Sequence, residues 1–178
     1  MTLKEALSPL DTLLRQKKIG YAVIGGYAVA AWGEVRATRD IDLLCRPRDL
    51  DALKGALAES GIRFEHRAGD ADDPISNVVR IEIGDADGPY GIEVLFGIRE
   101  APAGILERAC RVQIEGLSVP VASPEDTILL KLLGGSIRDL DDARGILEAQ
   151  AGRLDMPLIR RLCPPSLIDL LDKLVASI

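Results

Sequence analysis

The chain has 178 residues, 47% hydrophobic and only 3% aromatic, enough to build one domain or a small core with an appended lobe from Leu, Ile, Val and Ala. A formal net charge of -6 and a pI near 4.9 argue against a broad nucleic-acid-binding surface and leave room only for a local basic groove. No apolar stretch reaches the roughly 18 residues of a membrane span, and Met1-Thr2-Leu3-Lys4-Glu5 reads as an amphipathic helix start, not a signal peptide, so a cytoplasmic location without membrane partners is expected.

In chain order, residues 3–18 carry Leu3, Leu7, Leu10, Leu13 and Leu14 near helical spacing and predict a helix. Pro9 either kinks it or starts a second helix after Ser8. Residues 21–24 predict a short buried strand, 25–32 a small-residue helix ending at Gly33, 41–45 a second strand, 48–60 a helix stopped by Gly61, and 62–66 a third strand. Asp70, Asp72 and Asp73 lie in a stretch, 68–74, that lacks the glycine and final glutamate of a calcium loop and reads as a solvated acidic loop. Residues 78–83 and 92–96 alternate, and 84–89 has turn chemistry, which predicts a hairpin. A short helix over 98–109 follows, then a smaller hairpin, 111–114 and 118–121, turning at Glu115-Gly116. Ser123-Pro124-Glu125-Asp126 supplies a cap, a proline at the first position and acids in the first turn of a helix. From there the chain reads as helices over 124–133, 137–151, 156–162 and 165–176. Its character thus changes near residue 122, from mixed strands and helices to all helix.

Chemistry concentrates at Asp40-Ile41-Asp42. Residues i and i+2 of an extended strand project from one face, so these carboxylates point the same way and can grip one divalent cation; without a cation, the two like charges repel. Upstream, the strand 21–24 ends in Gly25-Gly26, a sharp strand-to-helix turn whose bare backbone N–H groups can meet phosphate oxygens. It is not a dinucleotide fingerprint, because no Gly-x-Gly-x-x-Gly follows. A metal grip beside a phosphate cradle outlines a nucleotide-handling site. Cys45, Cys110 and Cys163 form no zinc-type pair and no disulfide framework, and His66 has no partner histidine.

The segments Val23-Ile24-Gly25-Gly26-Tyr27-Ala28 and Arg36-Ala37-Thr38-Arg39-Asp40-Ile41-Asp42-Leu43 resemble those of the nucleotidyltransferase superfamily that includes DNA polymerase beta. The chain is most similar to its minimal branch containing the AbiEii-type abortive-infection toxins, and the lincosamide nucleotidyltransferases are similar over the same stretch. Ser123-Pro124-Glu125-Asp126, Lys131, Arg138-Asp139-Leu140 and Asp142 resemble the helical part of that branch. Many members carry Gly-Ser where this chain has Gly25-Gly26.

The resemblance implies an α+β nucleotidyltransferase fold: a mixed, mostly antiparallel sheet with flanking helices on one side over residues 1–122, plus a helical C-terminal lobe over 123–178, in one compact unit. It implies transfer of a nucleoside monophosphate from a nucleoside triphosphate, with two magnesium ions held by carboxylates. The implied metal ligands and catalytic residues are Asp40, Asp42 and Glu93; the implied nucleotide-binding residues are Gly25, Gly26, Thr38, Arg39, Lys131 and Arg138. Glu93 and Leu95 share one strand face, Ile92, Val94 and Phe96 the other, and Glu93-Val94-Leu95-Phe96-Gly97 resembles the family's third-acid strand, where aspartate is commoner. Glu82 competes for the role.

For several side chains two roles stay open. Thr38 bonds to the turn or holds the Asp40 carboxylate; Arg36 and Arg39 meet phosphate or neutralise Glu34 and the acids. Lys131 snorkels out from among leucines or points into the cleft, and Arg138 pairs with Asp142 on the surface or serves the substrate. The acceptor can be RNA such as a tRNA end, a protein side chain or a small molecule; Arg36, Arg39, Arg46 and Arg48 can make a local patch for RNA. A toxin-like role implies an antitoxin protein partner. The competing class is a non-catalytic nucleotide-binding or interaction module of the same fold.

Overall fold

The computed structural model describes residues 3–33, 38, 40–82 and 91–178; Arg36, Arg39 and the turn expected at 84–89 lie outside the described residues. In chain order the elements are α1 (Leu3–Gln16), β1 (Tyr21–Ile24), α2 (Gly25–Trp32), β2 (Ile41–Cys45), α3 (Leu50–Glu59), β3 (Phe64–Ala68), β4 (Ile75–Glu82), β5 (Gly91–Ile98), α4 (Ile105–Arg108), β6 (Cys110–Ile114), β7 (Leu117–Val121), α5 (Pro124–Gly134), α6 (Ile137–Ala149), α7 (Met156–Leu162) and α8 (Ile168–Val175). The strands make one sheet in the order β3-β4-β5-β2-β1-β7-β6. Neighbours are antiparallel except for β2–β5 and β1–β7, which are parallel. This is the expected mixed, mostly antiparallel sheet.

Alternation assigns the two faces. Ile41, Leu43 and Cys45 of β2 and Ile92, Val94 and Phe96 of β5 are buried together with Leu7, Leu10 and Leu14 of α1 and Leu53 and Leu57 of α3. Asp42, Leu44, Glu93 and Leu95 therefore occupy the opposite face. There Leu44 and Leu95 pack with Ile105 of α4 and Leu130 of α5, so helices meet both faces and not one alone. The acids lie beyond that contact, at the Asp40 end of β2.

Helices α5 to α8 share a second core of Ile128, Leu129, Leu132, Ile146, Ile159 and Leu171. Val29 of α2 belongs to it, and Trp32 packs against both cores. The Trp32 indole donates to the Ala122 carbonyl at 2.7 Å, and Gln150 donates to the Trp32 carbonyl at 2.6 Å. At the start of α5, the Ser123 hydroxyl accepts from the Asp126 amide at 3.1 Å, as the cap pattern requires. No helix among the described residues is long and apolar enough to cross a membrane.

Local expectations fail in a few places. The helix expected over 98–109 is absent: β5 runs to Ile98 and only Ile105–Arg108 is helical. Gly97 and Gly104 adopt positive φ (70° and 80°) and Pro102 lacks an amide donor, so the segment is broken at both ends. β3 starts two residues after the expected 62, β4 and β5 are longer than expected, and α1 passes through Pro9 without restarting. Residues 165–167 form a 3-10 turn ahead of α8. The β6–β7 turn has positive φ at both Glu115 and Gly116, which suits the twist of a tight hairpin.

Candidate active site

The antiparallel register of β1 and β2 sets Ile24 opposite Asp42, so the chain turns into α2 directly beside that carboxylate. Gly25 has φ +62°, and a Cβ built there would overlap Asp42 Oδ2. Both the backbone and the close approach demand glycine. A Cβ on Gly26 would lie 2.6 Å from Thr38 Oγ1. Thr38 thus packs on the turn, and its hydroxyl donates to the Asp40 backbone carbonyl at 3.4 Å, not to the Asp40 carboxylate. The residue preceding α2, Ile24, has no capping side chain, which leaves first-turn amides of this helix for a ligand.

The third acid comes from a distant part of the chain. The parallel β2–β5 register sets Glu93 directly opposite Asp42. Glu82 instead opposes Gly91 and lies 3.4 Å from Arg63. Asp40 is exposed, but Asp42 is only partly so. Burial, then the charges of Glu93 and Asp40, push the Asp42 carboxyl up to about 6, against a smaller opposing pull from Lys131. Among the described residues no three His, Cys, Asp or Glu side chains form a closed, ready-made metal cage. The donor chemistry nevertheless fits magnesium, which takes carboxylate oxygens from few side chains and fills its other positions with water and phosphate.

Lys131 projects from α5 into the same cavity, of about 570 Å³, that Gly25 and Asp42 line. It is neither snorkelling nor free. Its Nζ donates to Asp139 Oδ1 at 2.7 Å and sits 3.0 Å from Asp142 Oδ2. An ammonium has three N–H donors, so one remains for a ligand. Asp139 also closes a capping box with Ser136 at the start of α6, and Gly134 makes room for it, since a Cβ there would lie 2.7 Å from Asp139 Oδ2. Sequence reasoning passed over Asp139 as a partner; the Ser136-x-x-Asp139 cap was its only local signal. Arg138 is exposed, and Lys131 engages Asp142, the acid in one of the two candidate roles for Arg138.

The remaining expected features are dispersed. Arg46 pairs with Glu107 at 2.7 Å and Arg48 approaches Asp49 at 4.0 Å. Both lie past the far end of β2, roughly 20 Å along an extended chain from Asp40, so they make no patch with it. His66 sits in edge strand β3 with Nε2 at 2.9 Å from Asn77 Oδ1. Asp70 and Asp73 fold their own loop, which Arg99 clamps through the carbonyls of Ala71 and Asp73. Cys45, Cys110 and Cys163 are free thiols.

The family model described as Nucleotidyl transferase AbiEii toxin, Type IV TA system, matches residues 11–151. The chain belongs to the AbiEii nucleotidyltransferase family. Solved structures with the same fold include ANT(2″)-Ia in complex with adenylyl-2″-tobramycin, at 18% identity over 90% of this chain and 95% of that one, with TM-score 0.64. The lincomycin-bound lincosamide antibiotic adenylyltransferase LnuA matches at 17% identity over 82% of this chain and 96% of that one, TM-score 0.52. An antigenic nucleotidyltransferase-like protein from Paracoccidioides brasiliensis matches at 22% identity over 96% and 88%, TM-score 0.57. A comparison with curated protein sequences finds no match. This AbiEii-family chain is therefore an enzyme of the nucleotidyltransferase class with the matching α+β fold.

Proposed function

We propose that this AbiEii-family protein transfers a nucleoside monophosphate from a magnesium-bound nucleoside triphosphate to an acceptor hydroxyl, as the toxin of a cytoplasmic toxin–antitoxin pair. One observation carries the reading: Asp42 lies against the bare Gly25 turn on one side and opposite Glu93 on the other, and lines a cavity that Lys131 also lines. Asp40, Asp42 and Glu93 would hold the metal, which when bound neutralises phosphate charge and helps orient nucleophile and leaving group.

The chain's own groups carry the rest. The amides at Gly25 and Gly26 receive phosphate oxygens, and the remaining Lys131 N–H meets the outer phosphates. Glu93 accepts the proton of the acceptor hydroxyl as its oxygen bonds to the α-phosphorus. The α-phosphorus to bridging-oxygen bond breaks, and pyrophosphate leaves with that electron pair. Incubation with α-labelled triphosphates, with and without magnesium, tests the reading. Label should pass to an acceptor only with magnesium, and not with Asp42→Asn. Magnesium-dependent binding without any transfer would favour the non-catalytic module of the same fold.

A further inference from the structure

The two edges of the sheet differ in what they leave open. β3 is bonded on one side only, to β4. The Gly69 amide donates to the Ser76 carbonyl at 2.8 Å and the Glu82 amide to the Arg63 carbonyl at 3.2 Å, and the register between these bonds is unbroken. Hydrogen-bonded pairs alternate along an antiparallel ladder, so the backbone groups of Arg63, Glu65, Arg67 and Gly69 face β4. The amides and carbonyls of Phe64, His66 and Ala68 therefore point outward along the free edge. β3 has no proline, no lysine and no bulge in its pairing, the usual devices that keep such an edge from pairing again.

The side chains on this edge are ordered by charge. Glu65 and Arg67 project from the open face, and Phe64 packs partly against the core on the other. Both charged residues are exposed. Among the described residues neither forms an ion pair, although nearby Arg63 lies 3.4 Å from Glu82. Read in the opposite chain direction, Glu65-His66-Arg67 presents a cation where the forward strand presents an acid. A second β3 laid antiparallel along the edge, with a two-fold axis at His66, sets His66 against the same residue of the second copy. Phe64 then faces Ala68, and Ala68 faces Phe64. All three are outward-pointing positions, so each pairing exchanges two N–H···O bonds. Between them Glu65 faces Arg67 of the second copy, and Arg67 faces its Glu65. These are the non-hydrogen-bonded positions, where opposed Cα atoms are about 4.5 Å apart and side chains meet most closely.

Neighbouring registers fail. An axis at Glu65 sets acid against acid, and an axis at Arg67 sets cation against cation. An axis between residues sets outward backbone groups against inward ones. The opposite edge, β6, has no comparable order, since an axis at its central Val112 would set Arg111 against Gln113. We propose that the free edge of β3 is a self-association surface whose partner is a second copy of this chain, joined edge to edge in one continuous sheet. The two-fold axis stands normal to the sheet, which makes the contact isologous and closed. Both acid clusters then open on the same face, seven strand steps or roughly 30–35 Å apart. The inference is independent of the transfer reading.

Sedimentation equilibrium of the full chain tests it. Wild type should show a monomer–dimer equilibrium between the 19.2 kDa chain and twice that mass. Arg67→Glu and Glu65→Arg each make both opposed charge pairs repulsive, and each should raise the dissociation constant by about tenfold or more. An equimolar mixture of the two variants should dimerise again, because every opposed pair then carries opposite charges. His66→Pro removes an outward amide that β4 does not use, so it should keep the circular dichroism of the wild type and weaken the dimer. A wild type that stays monomeric at about 100 μM would overturn the proposal. So would single variants that dimerise as well as wild type, or a mixture that stays monomeric.

Discussion

Two acidic clusters each present one carboxylate, Asp42 and Asp139, to the same cavity and differ in what neutralises them. At the sheet end, Asp40, Asp42 and Glu93 crowd together, and Asp42 is pushed up to about 6 by burial and by its acidic neighbours. In the helical lobe, burial also pushes Asp139 upward, but hydrogen bonds from Lys131 and Ser136 outweigh it and hold the carboxyl below its ordinary range. Among the described residues, the lobe cluster carries its own cation and the sheet cluster forms no ion pair. That contrast separates a group held in position from a group awaiting a ligand.

The largest effect should come from Asp42. Replacing it with Asn should lower magnesium-dependent transfer by about 10³-fold or more, measured with labelled triphosphate. The same change should stabilise the metal-free protein. A carboxyl whose folded value is raised contributes stability fully below its unfolded value of 3.8 and loses it as pH rises through about 6. Denaturant titration with a chelator should thus find Asp42→Asn more stable than wild type by at most about 3 kcal/mol at pH 8 and equal to it near pH 3. A less stable mutant at pH 8 would mean that Asp42 is already neutralised, like the lobe acids.

Glu93→Gln should retain ATP binding, because Asp40 and Asp42 remain, but lose transfer by about 10²-fold or more, the usual range for a proton acceptor. Glu82→Gln should transfer normally, since Arg63 already answers its charge. The reverse pattern would exchange the two glutamates.

Lys131→Ala should move stability in the opposite direction to Asp42→Asn. It removes the ammonium that Asp139 and Asp142, both largely buried, share, at a cost of about 3 kcal/mol. The lowered Asp139 carboxyl contributes stability above its unfolded value, lost as pH falls through its folded value, so the mutant and wild type should converge in acid. Calorimetric titration should also show triphosphate binding weakened more than monophosphate binding; equal losses would confine Lys131 to holding the lobe.

The smallest effect concerns the turn. Gly26→Ser would set a Cβ 2.6 Å from Thr38 Oγ1 and should cost about 1–2 kcal/mol. Gly26→Ser with Thr38→Ala should recover part of that, measured by thermal unfolding, because the Cβ of residue 38, 2.9 Å away, remains. No recovery at all would show that the Thr38 hydroxyl and methyl are not what keeps residue 26 small.

Local patterns in the sequence decided much of this protein. The apolar run 21–24 ending in Gly25-Gly26, the Asp40-x-Asp42 pair and the Ser123-Pro124 start are short-range signals, and their physical causes act within a few residues. Period-two alternation likewise located Glu93 opposite in face to Ile92 and Val94. The helix expected over 98–109 failed because its apolar content masked the breaking effect of Gly97, Pro102 and Gly104. Which glutamate meets Asp42 depended on a parallel pairing between strands some fifty residues apart in sequence, a register no local spacing encodes. The partners of Lys131 depended on how α5 and α6 pack around Gly134 and Gly135. Charge balance between side chains is a property of neighbours in space, so only the folded chain decided which acids were already answered and which were left for a cation.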